Sequence, residues 1–231
     1  VAAEAGVNAV MGLRVAYEEP VERICERTVG RKAHRLGRTQ DDVEARVLAA
    51  VEAVRSVLTE RTRIAIVDHI TSASAIVLPV EQIVAACHAA GVPVLIDGAH
   101  APAQVDVNLT AIGADWYTGN CHKWLCGPKG SAFIWVSPAR QTSLHPTTIS
   151  HGLNQGFLTE FDWTGTDDYT GWASLPIALD FLDGLLPGGT PALMEANRRK
   201  VLGARTTLLH ALGGEPLAPE EMIGSIASVR L

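Results

Sequence analysis

Long hydrophobic runs are missing from this chain. No apolar stretch approaches the ~18 residues that a bilayer span needs, and no basic start leads into a hydrophobic segment with a cleavage site. Cysteine is sparse as well. The four cysteines, Cys25, Cys87, Cys121 and Cys126, lie too far apart in too large a chain for a secreted disulfide scaffold, so reduced thiols and a cytoplasmic protein are the expectation. Positive charge is not in excess either: 19 Lys and Arg stand against 25 Asp and Glu, a formal charge of −6, which excludes a generally basic, nucleic-acid-binding surface. The basic run from Arg23 to Arg38 has Glu22 and Glu26 interleaved at steps of four, the pattern of a solvated helix face. There is no Gly-x-Ser-x-Gly, and Gly127-Pro128-Lys129-Gly130-Ser131 lacks the spacing of a P-loop. Cys121, His122 and Cys126 have no second ligand pair elsewhere, so no metal site is expected.

What is present is apolar bulk in two successive patterns. At 231 residues and 47% hydrophobic, the chain can bury one large core or slightly more. Its first third reads as helix: residues 1–15, part of 18–36, and a clearer one opening at Thr39 and Asp42, whose Val43, Val47, Val51, Val54 and Leu58 mark one stripe up to about Glu60. Strand and helix then alternate. Ile64–Val67, Val92–Ile96, Ala114–Thr118 and Ala132–Val136 are short apolar strands, with a helix between Pro79 and Gly91. This rhythm predicts a mainly parallel sheet sandwiched by helices. Residues 137–169 read as a long polar loop, the kind that is usually functional. Helical spacing returns through Trp172, Leu175, Leu179, Leu182 and Leu186, and again from about Ala192 to Leu212. Starting at Val1 and stopping inside an apolar run, the sequence is expected to be part of a longer protein.

In open parallel sheets, ligands sit beyond the carboxyl ends of the strands. Three strands here lead into chemically able groups: Asp68-His69-Ile70-Thr71-Ser72, Asp97-Gly98-Ala99-His100, and Gly119-Asn120-Cys121-His122-Lys123. A lysine between His122 and Trp124, in register with an aspartate closing the previous strand, suits a carbonyl cofactor. Lysine can form an imine with an aldehyde, and a carboxylate keeps a pyridine nitrogen protonated so that the ring can act as an electron sink. That pairing suggests pyridoxal phosphate, with Lys123 and Asp97 in those roles. The blander readings are a surface lysine and a turn or cap aspartate. His34, His88, His145 and His210 have no partner that the sequence names and read as surface or core histidines.

Four segments in order, Asp68 to Val80, Leu95 to Pro102, Gly113 to Gly130 and Phe161 to Asp168, resemble the class V aminotransferase-like, pyridoxal-phosphate-dependent enzymes. The likeness is densest from Arg61 to Leu186 and is nearest to the isopenicillin N epimerase-like branch, which also holds carbon–sulfur lyases. It implies the large domain of fold type I over residues 1–222 and the start of a small C-terminal domain at 223–231. It also implies Lys123 as the Schiff-base lysine, Asp97 at the ring nitrogen, and His100 and Ser72 near the phenolic oxygen. Asn120 and His122 would hold the phosphate, and Thr166 would reach the phosphate of the neighbouring subunit in a homodimer. The implied activity is that of an epimerase on an amino acid, with a lyase or aminotransferase of the same family as alternatives. Departures are Glu4 where relatives carry a phosphate-binding Asn-Ala-Thr, a shortened stretch between Leu13 and Tyr17 that leaves Tyr17 as the candidate stacking residue, and no arginine for a substrate carboxylate. These departures motivate a reading from another class, a truncated, non-catalytic homologue acting as a binding or dimer-partner subunit.

Overall fold

The computed structural model describes residues 40–231. The expected helices before Thr39, the cap at Thr39, the basic run, Glu4 and Tyr17 lie outside those residues. The first described helix, α1 (Gln40–Arg55), ends a turn short of the expected Glu60. It places Ala50, Val51, Ala53 and Val54 in the core, and Leu58 packs against that cluster from the turn that follows.

The alternating region forms one four-stranded sheet in the order β1 (Ala65–Asp68), β2 (Val94–Asp97), β3 (Trp116–Asn120), β4 (Ala132–Val136). The β1–β2 and β2–β3 pairs are parallel, with Asp68 opposite Asp97 and Asp97 opposite Thr118. The β3–β4 pair is antiparallel, with Asn120 opposite Ala132. This makes the sheet mainly parallel, as the βαβ spacing predicts. Each expected strand is found within two residues of its reading, because short β-branched runs bounded by turns have few other places to go.

Alternation divides the sheet into two faces. Val67, Val94, Ile96 and Tyr117 are completely buried on one of them, against Ile83 and Cys87 of α2 (Val80–Ala89) and against α1. Asp68, Asp97, Thr118 and Asn120 belong to the other face, which is only half-buried. Pro79 caps α2, where its missing N–H costs nothing. The short α3 (Leu109–Ile112) is capped by the Asn108 side chain and stopped by Gly113 in the left-handed region.

The stretch 137–169 is less structureless than its composition implies. It contains α4 (Pro138–Gln141) and α5 (Phe157–Asp162). Buried Glu160 ties it together, accepting from His145 Nδ1 at 2.7 Å and from the Asn154 N–H at 3.2 Å. His145, read as partnerless from sequence, is therefore a tether. Beyond it lie α6 (Thr170–Ala173), α7 (Leu175–Gly184) and the long α8 (Gly189–Leu212). On α7 only Leu182 is buried, while Ile177 is 73% and Phe181 59% exposed. After α8, β5 (Glu215–Pro216) pairs antiparallel with β6 (Val229–Arg230). Between them, residues 222–225 return to the main body. Val77 N–H donates to the Met222 carbonyl at 2.9 Å, and Ile76 bridges Ile223. No described helix is long and apolar enough to cross a membrane.

Candidate active site

The carboxyl ends of β1, β2 and β3 converge because parallel pairing puts them on one edge. From β2 the chain turns sharply. Gly98 N–H donates to the Thr118 carbonyl at 2.8 Å and Ala101 N–H to the Gly98 carbonyl at 2.9 Å. Only glycine fits at 98, since a Cβ there would lie 2.2 Å from the Tyr117 ring and hydroxyl. Asp97 ends β2 with Oδ1 accepting from the Ala99 N–H at 2.9 Å. The turn-residue reading is thus realised in part, but it uses one carboxylate oxygen and leaves the second for a ligand.

From β3 the chain enters a loop stapled at its base. Cys121 N–H donates to the Ser131 carbonyl at 3.0 Å, and Gly127 N–H to the Cys121 carbonyl at 2.8 Å. His122 Nδ1–H donates to the Ser131 carbonyl at 3.1 Å. That bond fixes the tautomer and turns Nε2 into the available nitrogen. Cys126 closes the loop at φ +58°, a conformation rare for a side-chain-bearing residue and concentrated at sites where the surroundings enforce it.

Lys123 and His100 meet between these two turns, with Nζ and Nε2 3.0 Å apart. Burial first, and the Lys123 charge second, hold His100 below its ordinary pKa, while Asp97 pulls the other way. The ring is therefore neutral near neutral pH and can partner the lysine amine without charge repulsion. His100 Nδ1 is buried and has no hydrogen-bond partner among the described residues. Such an orphan is a costly feature in a finished core and an ordinary one where a ligand belongs. An amine nucleophile, a carboxylate with a spare oxygen, an unmatched imidazole nitrogen and a polar Asn120 at the next strand end fit a phosphorylated pyridine aldehyde.

Of the residues expected from sequence, Asp97, His100 and Lys123 are brought together, and Asn120 and His122 lie on the same strand end and loop. Ser72 is exposed in the turn after β1, where Thr71 and Ser74 hydroxyls bond at 2.6 Å, and it makes no hydrogen bond among the described residues. Thr166 is exposed and makes no hydrogen bond to the other site residues within this chain.

Sequence reading missed the layer beneath the site. His69 Nδ1 lies 2.8 Å from the Tyr117 hydroxyl, on the buried face behind Asp97. Burial lowers the His69 pKa to about 4, and burial followed by the Asp97 charge raises that of Tyr117. Tyr117 also stacks on Phe133 at 6.3 Å. One signal was available: His69 continues the inward alternation of Ala65 and Val67 just past β1, and Tyr117 holds an inward position of β3.

A mainly parallel sheet with a lysine loop after the third strand and an aspartate closing the second fits a pyridoxal-phosphate protein of fold type I. The family model for class V aminotransferases matches residues 31–185, and the chain belongs to that family of pyridoxal-phosphate-dependent enzymes. A putative L-cysteine desulfhydrase from Oryza sativa subsp. japonica is 37% identical over 174 residues, covering 74% of this chain and 36% of the relative. Isopenicillin N epimerase from Streptomyces clavuligerus is 31% identical over 191 residues, covering 74% and 47%. Among solved structures, a C-DES mutant with glycine covalently linked to its pyridoxal phosphate superposes with a TM-score of 0.66 at 21% identity, covering 76% of this chain and 49% of that one; this likeness concerns the fold. The chain spans less than half the length of these relatives.

Proposed function

We propose that this protein, as a cytoplasmic homodimer, uses Lys123 to bind pyridoxal phosphate and to move the α-proton of a small amino acid, with loss of a β-thiol as the reaction. The observation that carries this is the 3.0 Å pairing of Lys123 with a neutral His100 beside Asp97. When bound, the cofactor supplies an electron sink that acidifies the substrate α-carbon. Asp97 would offer its second carboxylate oxygen to the ring nitrogen. Asn120 and His122 would hold the phosphate, joined by Thr166 of the other protomer, and Ser72 and His100 would stand at the phenolic side. Lys123 Nζ would serve as the general base that takes the α-proton, with His100 Nε2, 3.0 Å away, holding the amine in place.

The lyase reading is supported by the similarity to L-cysteine desulfhydrases, and the similarity to isopenicillin N epimerases favours epimerisation as a second reading. In the first, the α-proton and a β-thiolate both leave, and water then releases the remaining three-carbon unit as pyruvate and ammonia; in the second, the proton returns on the opposite face. Residues 223–231 fit the entry to a small domain that completes the substrate pocket. Incubating the full reading frame with L-cysteine in heavy water separates the readings. Sulfide and pyruvate release is expected. Deuterium at the α-carbon with inverted configuration and no sulfide would instead establish epimerisation, and neither product from any amino acid of a broad panel would refute the catalytic proposal.

A further inference from the structure

Gln104 connects the site to a part of the chain far from it in sequence. Its side chain is 3% exposed and both ends of its amide are used. Nε2 donates to the His100 carbonyl at 2.8 Å, and Oε1 accepts from the Ser225 N–H at 2.9 Å. Gly224 passes so close that a Cβ there would lie 2.8 Å from Gln104 Oε1. The segment this amide grips is fixed on its other side too. Arg198 of α8 donates to the Ile223 carbonyl at 3.2 Å and to the Glu220 carbonyl at 2.8 Å.

The turn that Gln104 pins is under strain. Ala103, its neighbour, sits at φ +62°, a left-handed conformation that a non-glycine residue keeps only where other contacts enforce it. The Gln104 N–H adds a 2.9 Å bond to the Ala101 carbonyl, so the side chain and backbone of one residue together hold residues 100–104. At the far end, Ser225 lines a cleft of about 310 Å3 together with Trp124, the residue next to Lys123, and with Asn197, Lys200, Val201 and Ala204.

We propose that Gln104 is a positioning residue: it locks the His100 turn, and through His100 the Lys123 amine, to the segment 222–225 that leads on from α8. This rests on the reading of Lys123 as the cofactor lysine. An amide is suited to the task because it donates at one end and accepts at the other. A thioether has no donor and accepts only weakly, and a carboxylate accepts only, until protonation gives it back a donor.

The test uses the full reading frame and follows the visible absorption of added pyridoxal phosphate, with amide hydrogen exchange on the cofactor-free protein beside it. Gln104→Met is expected to weaken cofactor binding about tenfold, the scale of one lost buried hydrogen bond, and to speed exchange at the Ser225 N–H. Gln104→Glu is expected to bind weakly near neutral pH and to recover toward wild type, measured at the same pH, as the pH falls and the neutral acid restores both bonds. If Gln104→Met does not fold, the acid recovery of Gln104→Glu decides alone. Wild-type affinity and exchange in Gln104→Met would overturn the proposal. So would a lowered melting temperature accompanied by no acid recovery in Gln104→Glu, which would mark a merely structural role. Failure of the underlying reading looks different, because wild-type absorption would then be indifferent to Lys123→Ala.

Discussion

The two ends of β3 lie beside polar groups in opposite conditions. At its start, Asp115 is saturated: Oδ2 accepts from the Val94 N–H and pairs with His88 Nε2, both at 2.8 Å, and Oδ1 accepts from Arg140 Nε at 2.6 Å. At its finish, beyond Asn120, Asp97 has a carboxylate oxygen to spare and His100 a nitrogen with no partner among the described residues. Burial alone would raise the Asp115 pKa, but hydrogen bonds from Arg140, His88 and Val94 outweigh it and hold the carboxyl below its ordinary range. A satisfied network of this sort ties strands to helices and has no capacity left for a ligand. The under-satisfied end is where chemistry can be added.

That contrast can be broken by mutation. The largest effect is expected from Asp97→Asn, which keeps the turn bond to Ala99 but removes the charge. The value of kcat/KM should fall about 10²–10³-fold, or ~3–4 kcal/mol of barrier, with the melting temperature nearly unchanged. Equal losses of activity and stability would make Asp97 a structural residue like Asp115.

His69 sharpens the comparison through pH. Its pKa lies near 4 when folded, against 6.5 when exposed, so the unfolded chain takes up a proton that the folded one refuses. Its contribution is intact above the ordinary value and is lost as pH falls toward 4, about 3 kcal/mol in all. Urea unfolding at neutral pH and at pH 4 should therefore show a larger acid loss in wild type than in His69→Asn. Identical losses would mean that His69 is not buried as neutral imidazole.

Smaller effects belong to the saturated end. Asp115→Asn should cost ~2 kcal/mol of stability by thermal or urea unfolding while leaving cofactor absorption intact. Smallest of all, Arg140→Ala should cost no more than ~1 kcal/mol, since Arg140 is 40% exposed and its ion pair is screened. A cofactor defect in either variant would show that the two ends are coupled.

Much of this was legible from the residues. Apolar β-branched runs place the strands, and Asp97 and Lys123 at the ends of two neighbouring ones mark the candidate site, because a parallel sheet has one carboxyl edge; Ser72, beyond a third, stays exposed and makes no hydrogen bond to them. What periodicity does not encode is who meets whom across long separations. His88 and Asp115 are 27 residues apart, and Gln104 and Ser225 are 121 apart, so neither pairing has a local signature. The short α5 was hidden by its polar setting, yet Phe157 and Phe161, one turn apart with ring centroids 4.7 Å apart and planes tilted by 45°, were its signal. For α7, helical spacing marks a stripe but does not say whether it is covered: Leu182 is buried while Leu179, on the same stripe, is 42% exposed.

The most direct measurement is the visible spectrum of the full reading frame titrated with pyridoxal phosphate, for wild type and for Lys123→Ala. A visible band present in wild type, retained in Asp115→Asn and abolished in Lys123→Ala is the predicted result. A colourless wild type, or a band that survives Lys123→Ala, would contradict the assignment of Lys123 as the cofactor lysine.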